Sequence, residues 1–197
     1  MGLHMQQNHD LHDFDFLTAP GSDGTYLLEM TKTGTTYAYE YVEKEDKSTD
    51  HYTLFSHYTD ASNTGTTEND LYSDTVAAGQ LSDDGDVIRF TYSGVTAANG
   101  NWKEAKVYFA GMQIGGTTAI AANDNAFTIS GSLMKTGEGS IVYECVTTIA
   151  QIGNAVYGGE LTELTLSNSQ ILKITGNSNT QANDITVKTG KVSFEPA

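Results

Sequence analysis

The sequence predicts an all-β fold, a jelly-roll-like β-sandwich preceded by an N-terminal arm and a β-hairpin. Three observations predict it. Period-two alternation of apolar and polar residues recurs along the chain. Clusters of Gly, Asn and Asp punctuate it at short intervals. Ala, Leu, Glu, Lys and Arg seldom recur at helical spacing. Short strands between regularly spaced turns are the pattern of a sandwich or barrel.

The elements follow in order. Residues 1–23 read as an arm, with Leu11, Phe14, Phe16 and Leu17 in a polar stretch that reaches Pro20. That stretch is too short for a core of its own, so Phe14, Phe16 and Leu17 are expected to anchor the arm to a partner. Residues 24–69 read as a β-hairpin attachment segment and linker. Tyr37, Tyr39 and Tyr41 alternate along one strand, and Glu43–Asp50 supplies a charged turn. The run HYTLFSHY (residues 51–58) sets Tyr52 and Leu54 opposite Phe55 and His57, and residues 61–69 form the linker. Residues 70–197 then hold the sandwich, with about eight strands, the jelly-roll count.

Within that domain Asp84-Gly85 provides a positive-φ turn, after which Ile88, Phe90 and Tyr92 alternate with Val87, Arg89 and Thr91. Val107 and Phe109 alternate with Lys106 and Tyr108 in the same way. Residues 127–133, 140–148, 161–166, 171–174 and 185–194 continue the series. Gly94 and Gly111 follow bulky runs, where a bulge or strand end is expected. Residues 111–116 and Gly158-Gly159 read as turns, and no internal repeat is evident.

Composition excludes several functions. Ten Lys and Arg against 25 Asp and Glu give a net charge of −15, which repels nucleic acid. Cys145 is the single cysteine, so no intrachain disulfide or Cys-built zinc site exists. No apolar run approaches the roughly 20 residues of a membrane helix. The first ten residues lack the basic and apolar regions of a secretory signal.

Candidate chemistry is sparse. Histidines at 4, 9, 12, 51 and 57 invite a metal, but the expected assignment is exposed or edge-strand histidine, with no metal and no cofactor. Ser82-Asp83-Asp84-Gly85-Asp86 lacks the alternating order and distal Glu of a calcium loop and reads as a turn. Cys145 shares a strand face with Tyr143, as a small buried hydrophobe does. There is no G-x-S-x-G and no histidine after residue 57, so no catalytic residue is assigned. Trp102, flanked by Asn99, Gly100, Asn101 and Lys103, is the best glycan-binding candidate, with Asn101 next to it, and Tyr157, beside Gly158-Gly159, is the second.

An ordered set of motifs carries a resemblance. It runs through Glu68–Ser73, Ala78–Leu81, Asp84–Phe90, Tyr92–Asn99, Lys106–Gly111, Leu133–Gly137, Ile174–Gly176 and Asp184–Val187. Across about two-thirds of the chain it resembles tailed-bacteriophage virion proteins with a TNF-like or jelly-roll domain, of the head-decoration, head-fibre or tail-fibre-tip type. That resemblance implies a non-enzymatic, homotrimeric structural module. It would lie on the virion exterior, assembled in the bacterial host cytoplasm and anchored to a major capsid or fibre/tail protein. The alternative is a receptor-binding tail-fibre tip or glycan-binding β-sandwich module that recognises host-surface glycan. No nucleic-acid or membrane partner is expected.

Overall fold

The computed structural model describes residues 26–33, 36–43, 51–117 and 125–197, the first two ranges by their backbone. The chain divides into two compact units, Met1–Ser48 and Thr49–Ala197. In the first, β1 (Tyr26–Thr33) and β2 (Thr36–Glu43) form an antiparallel hairpin, with Thr33 opposite Thr36 at its turn. The arm residues Phe14, Phe16 and Leu17 and the Glu43–Asp50 turn beyond Glu43 lie outside the described residues.

The second unit holds β3 (Tyr52–His57), β4 (Ala61–Ser62), β5 (Asn69–Val76), β6 (Val87–Thr96), β7 (Lys103–Phe109) and β8 (Met112–Gly116). After these come β9 (Ala126–Gly137), β10 (Ser140–Ile149), β11 (Gly153–Leu161), β12 (Gln170–Ser178) and β13 (Ile185–Glu195). They form two antiparallel sheets. The larger has the order β11-β10-β9-β6-β13-β3, with β4 also on β13. The smaller runs β5-β12-β7-β8.

The pairings nest. β7 pairs with β8, β6 with β9, β5 with β12, and β3 with β13, as in one long hairpin rolled onto itself. Two four-stranded sheets in that order are a jelly roll. The β10–β11 hairpin, inserted between β9 and β12, widens the larger sheet.

Alternation dictates the core. Ile88, Phe90 and Tyr92 of β6 face Ala105, Val107 and Phe109 of β7 within one buried cluster that also takes Ile129, Leu133, Leu172 and Ile174. Each such large side chain contributes about 1.5–3 kcal/mol by leaving water. Cys145 is buried with Ile141 on the inner face of β10.

Several expectations are corrected. The domain boundary lies near residue 49 rather than 70, because β3 and β4 hydrogen-bond to β13 and supply the first strand of the jelly roll. On β3 a register shift at Val192/Ser193 makes Leu54 an extra residue. Tyr52 is therefore returned to the face of Phe55 and His57, opposite buried Phe194, Val192 and Gly190. Residues 111–116 are not a plain turn. Ala110 (φ 50°) and Gly111 (φ 80°) turn the chain, and Met112–Gly116 returns as β8. Gly158-Gly159 lies inside β11. The expected strand at 161–166 ends at Leu161, the last residue paired with β10, and Glu163 turns away at φ 62°.

Gly94 sits within β6, where β13 shifts register between Val187 and Thr189. A Cβ there would lie 2.6 Å from Phe127 Cζ and closer still to the Thr186 carbonyl oxygen. Only glycine lets the strands approach that far.

Candidate functional site

At the C-terminal end of β6, loops around residues 63, 99–102 and 178–184 converge on Asp184, which is fully buried. Its carboxylate accepts from Ser178 Oγ at 2.6 Å, Asn99 Nδ2 at 2.7 Å, Asn101 Nδ2 at 3.0 Å and Gln181 Nε2 at 3.1 Å. Burial works against its charge, but those four donors outweigh it and hold the carboxyl below its ordinary range.

Lys103, also fully buried, donates from Nζ to the carbonyls of Asn99 at 2.7 Å and Asn101 at 3.1 Å. Desolvation pulls its pKa down, and the Asp184 charge partly restores it. The ammonium ties the 99–101 loop from within. Asn63 closes the far side, donating to the carbonyls of Gly65 and Gln181 and accepting from Ile185 N.

Trp102 stands on this platform, half-buried, with its carbonyl receiving Asn179 N at 3.3 Å. Asn101 is beside it, but its side-chain amide donates to Asp184. Tyr157 belongs to a different element. It lies on the inner face of β11 opposite Cys145, packed against the core, and its hydroxyl lies within electrostatic reach of Glu104 on β7. Trp102 and Asn101 thus share one loop, and Tyr157 is carried by the other sheet.

The outer face of the smaller sheet is a charged lattice. Lys106 Nζ lies 2.9 Å from Glu104 and 3.3 Å from Glu68, and Glu68 also accepts from Thr175 Oγ1 at 2.7 Å. Lys173 pairs with Asp70 at 2.8 Å and sits 5.8 Å above the Tyr108 ring. Burial, with the neighbouring Glu68 charge, pushes Tyr108 up to about 12. Solvent-facing pairs of this kind contribute little singly. They also leave no carboxylate pair poised across a cleft.

His57 is not a free edge histidine. Its Nε2 meets both Asp74 oxygens, at 2.8 and 3.0 Å, and its ring stacks on Tyr72 at 4.1 Å. The pair bridges β3 of one sheet to β5 of the other, and Tyr72 extends it by donating to Thr59 O. His51 Nδ1 instead lies 3.1 Å from Glu195. Among the described residues, no group of three or more His, Cys, Asp or Glu is placed to hold a metal ion. Among the described residues, no helix is long and apolar enough to cross a membrane.

At the opposite end of β6, a groove of about 610 Å³ lies between Gly79–Asp84, Glu138-Gly139 and Leu164–Ser167. Its floor is Leu81, Leu164 and Leu166, and its rim includes the Lys135–Asp84 ion pair. Ten residues of strand put it about 30 Å from the Trp102 platform.

Sequence reading missed Asp184, Lys103, Ser178 and His57 as organising residues. The signal available was the density of Asn, Ser and Asp at 99–101 and 177–184.

No family model matches the chain, and no curated protein matches it. Solved structures give distant likenesses. A structure of infectious bursal disease virus, Gx strain, is 16% identical with a TM-score of 0.31, and the match covers 87% of this chain and 37% of that one. The CBM2 module of the evolved Dit of Lactobacillus casei BL23 phage J-1 is 12% identical with a TM-score of 0.32, covering 70% and 76%. The alginate lyase from Klebsiella pneumoniae is 11% identical with a TM-score of 0.27, covering 57% and 60%. The chain spans about a third of the length of the first of these, and none of the three assigns it a function.

Proposed function

We propose that this chain is a non-enzymatic structural protein of a bacteriophage virion, a homotrimeric module on the exterior of a capsid or fibre. The observation that carries the reading is the nested jelly-roll order over residues 52–195, on the same stretch that bears the motif resemblance. The chemistry of the described residues agrees. Its buried polar groups tie loops and sheets together, and its outer charges pair with one another. A net charge of −15 keeps a densely displayed protein soluble.

In this reading the Met1–Ser48 unit attaches the module to a major capsid or fibre/tail protein, with Phe14, Phe16 and Leu17 as anchors. The test is substitution of Phe14 and Phe16 by Ala in the full chain. Incorporation into particles is lost while native mass is unchanged. Unchanged incorporation overturns the anchor.

Trp102 favours a second reading, a receptor-binding tip. Its loop is fixed from below by Lys103 and Asp184, so the half-buried ring is held on a rigid platform of the kind that suits a sugar face. Glycan affinity that falls on Trp102→Ala supports it, and absence of affinity for any host-surface glycan removes it.

A further inference from the structure

We infer that the β11 edge of the larger sheet is a junction between two copies of this chain, joined antiparallel about Val156. The sandwich has four outer strands, β11, β3, β5 and β8. Three are guarded. The ladders of β3, β5 and β8 each contain a register shift. β5 also carries Asp70 and Asp74, while β8 runs close against β10, where a Cβ on Gly115 would lie 3.0 Å from that of Cys145. Bulges, charges and cover are the usual means of blunting an edge.

β11 has no register shift, and Glu160 near its end is its one charged residue. Its nine residues pair with β10 from Gly153 to Leu161 without a shift, and its sequence GNAVYGGEL contains no Lys and no Pro. Among the described residues, no hydrogen bond is recorded on its outer side. At its centre Val156 is 76% exposed, and its register partner Val146 is 41% exposed on the same outer face.

Charge selects a second copy as the occupant. Two chains of net charge −15 repel wherever acids meet, yet residues 153–159 are uncharged. Antiparallel pairing centred on Val156 sets Asn154 opposite Gly158 of the second copy and Ala155 opposite its Tyr157. Glu160 then falls opposite Ile152, so no carboxylates face each other. The apolar pair becomes a continuous row across the junction, Val146 and Val156 of one copy meeting Val156 and Val146 of the other. On a crowded virion surface this twofold contact would link neighbouring modules, whatever number of copies each contains.

The test uses the full chain. Val156→Cys places two thiols directly opposite at about 4.5–5.5 Å between Cα atoms, within disulfide reach. Asn154→Cys leaves its symmetry mates four residues out of register, about 13 Å apart. Mild oxidation is expected to give covalent dimers from V156C and none from N154C. By light scattering, wild-type mass rises with concentration to at least twice that of Val156→Lys. The ratio of these masses tests the edge, and the absolute mass of V156K tests the trimer separately. Equal cross-linking of V156C and N154C, or no cross-linking with a wild-type mass equal to that of V156K, overturns the junction.

Discussion

Asp184 is the residue whose removal the structure makes most costly. Asp184→Ala deletes an acceptor of four hydrogen bonds and strands the buried Ser178 hydroxyl and the part-buried amides of Asn99, Asn101 and Gln181. It also removes the Asp184 charge that favours the buried Lys103 ammonium. Each orphaned donor costs about 1–3 kcal/mol, and the lost attraction on Lys103 adds to that. These penalties overlap because the groups share one network, so a loss of about 4 kcal/mol is expected. Ser178→Ala removes one bond of the four and should cost about 1 kcal/mol. The assay is urea unfolding followed by the fluorescence of Trp102, the single tryptophan, which sits on this platform. The midpoint falls with an unchanged slope. The sign of the pH dependence follows from a folded pKa held below 3.8. The stabilisation is complete above the unfolded value and fades as pH drops through the folded one. The gap between wild type and Asp184→Asn therefore stays constant from neutral pH downward and narrows only below about pH 4. A loss under about 1 kcal/mol for D184A, or a gap that widens in acid, would refute the reasoning.

Other expectations follow from the same packing. Gly94→Ala forces a Cβ against Phe127 and the Thr186 carbonyl. It should cost about 3 kcal/mol, read as a lower thermal midpoint, and a neutral result would show that β6 and β13 separate freely there. His57→Ala leaves Asp74, only 7% exposed, without its Nε2 hydrogen-bond partner and strips the ring from Tyr72. A loss of about 2 kcal/mol is expected in denaturant unfolding, and adding Asp74→Asn should recover part of it. Burial pushes the Cys145 thiol up to about 11. At pH 8 its thiolate fraction is about one in a thousand, so a thiol reagent labels it only in denaturant.

Much of the sandwich was legible in the sequence because alternation is a direct image of two-faced burial. Ile88, Phe90 and Tyr92 declared their side of β6, and Tyr143 shares the inner face with Cys145 as expected. The strands that escaped are those where glycine erases the alternation. β8 ends in Gly115-Gly116 and β11 carries Gly158-Gly159, and both pairs look like turns until a partner strand is present to claim them. β3 was misassigned to the hairpin because its partner β13 lies more than 120 residues away, and the extra residue Leu54 scrambled its faces. Conversely, residues 161–166 alternate well but meet no partner beyond Leu161.

The site divides along the same line. Trp102 stood out as a lone aromatic in a polar loop. Asp184 did not, because its donors come from loops about 80 residues apart in the chain, and only the closure of the jelly roll brings them together. His57 was obscured for the same reason, since Asp74 belongs to the opposite sheet.

The measurement that bears most directly on the proposed module is the native mass of the full chain with its β11 edge blocked by Val156→Lys. Light scattering should give about three times the chain mass of 21.2 kDa. A mass of one chain would contradict the trimeric virion module and move the weight to a lone sandwich with Trp102 as its glycan-binding candidate.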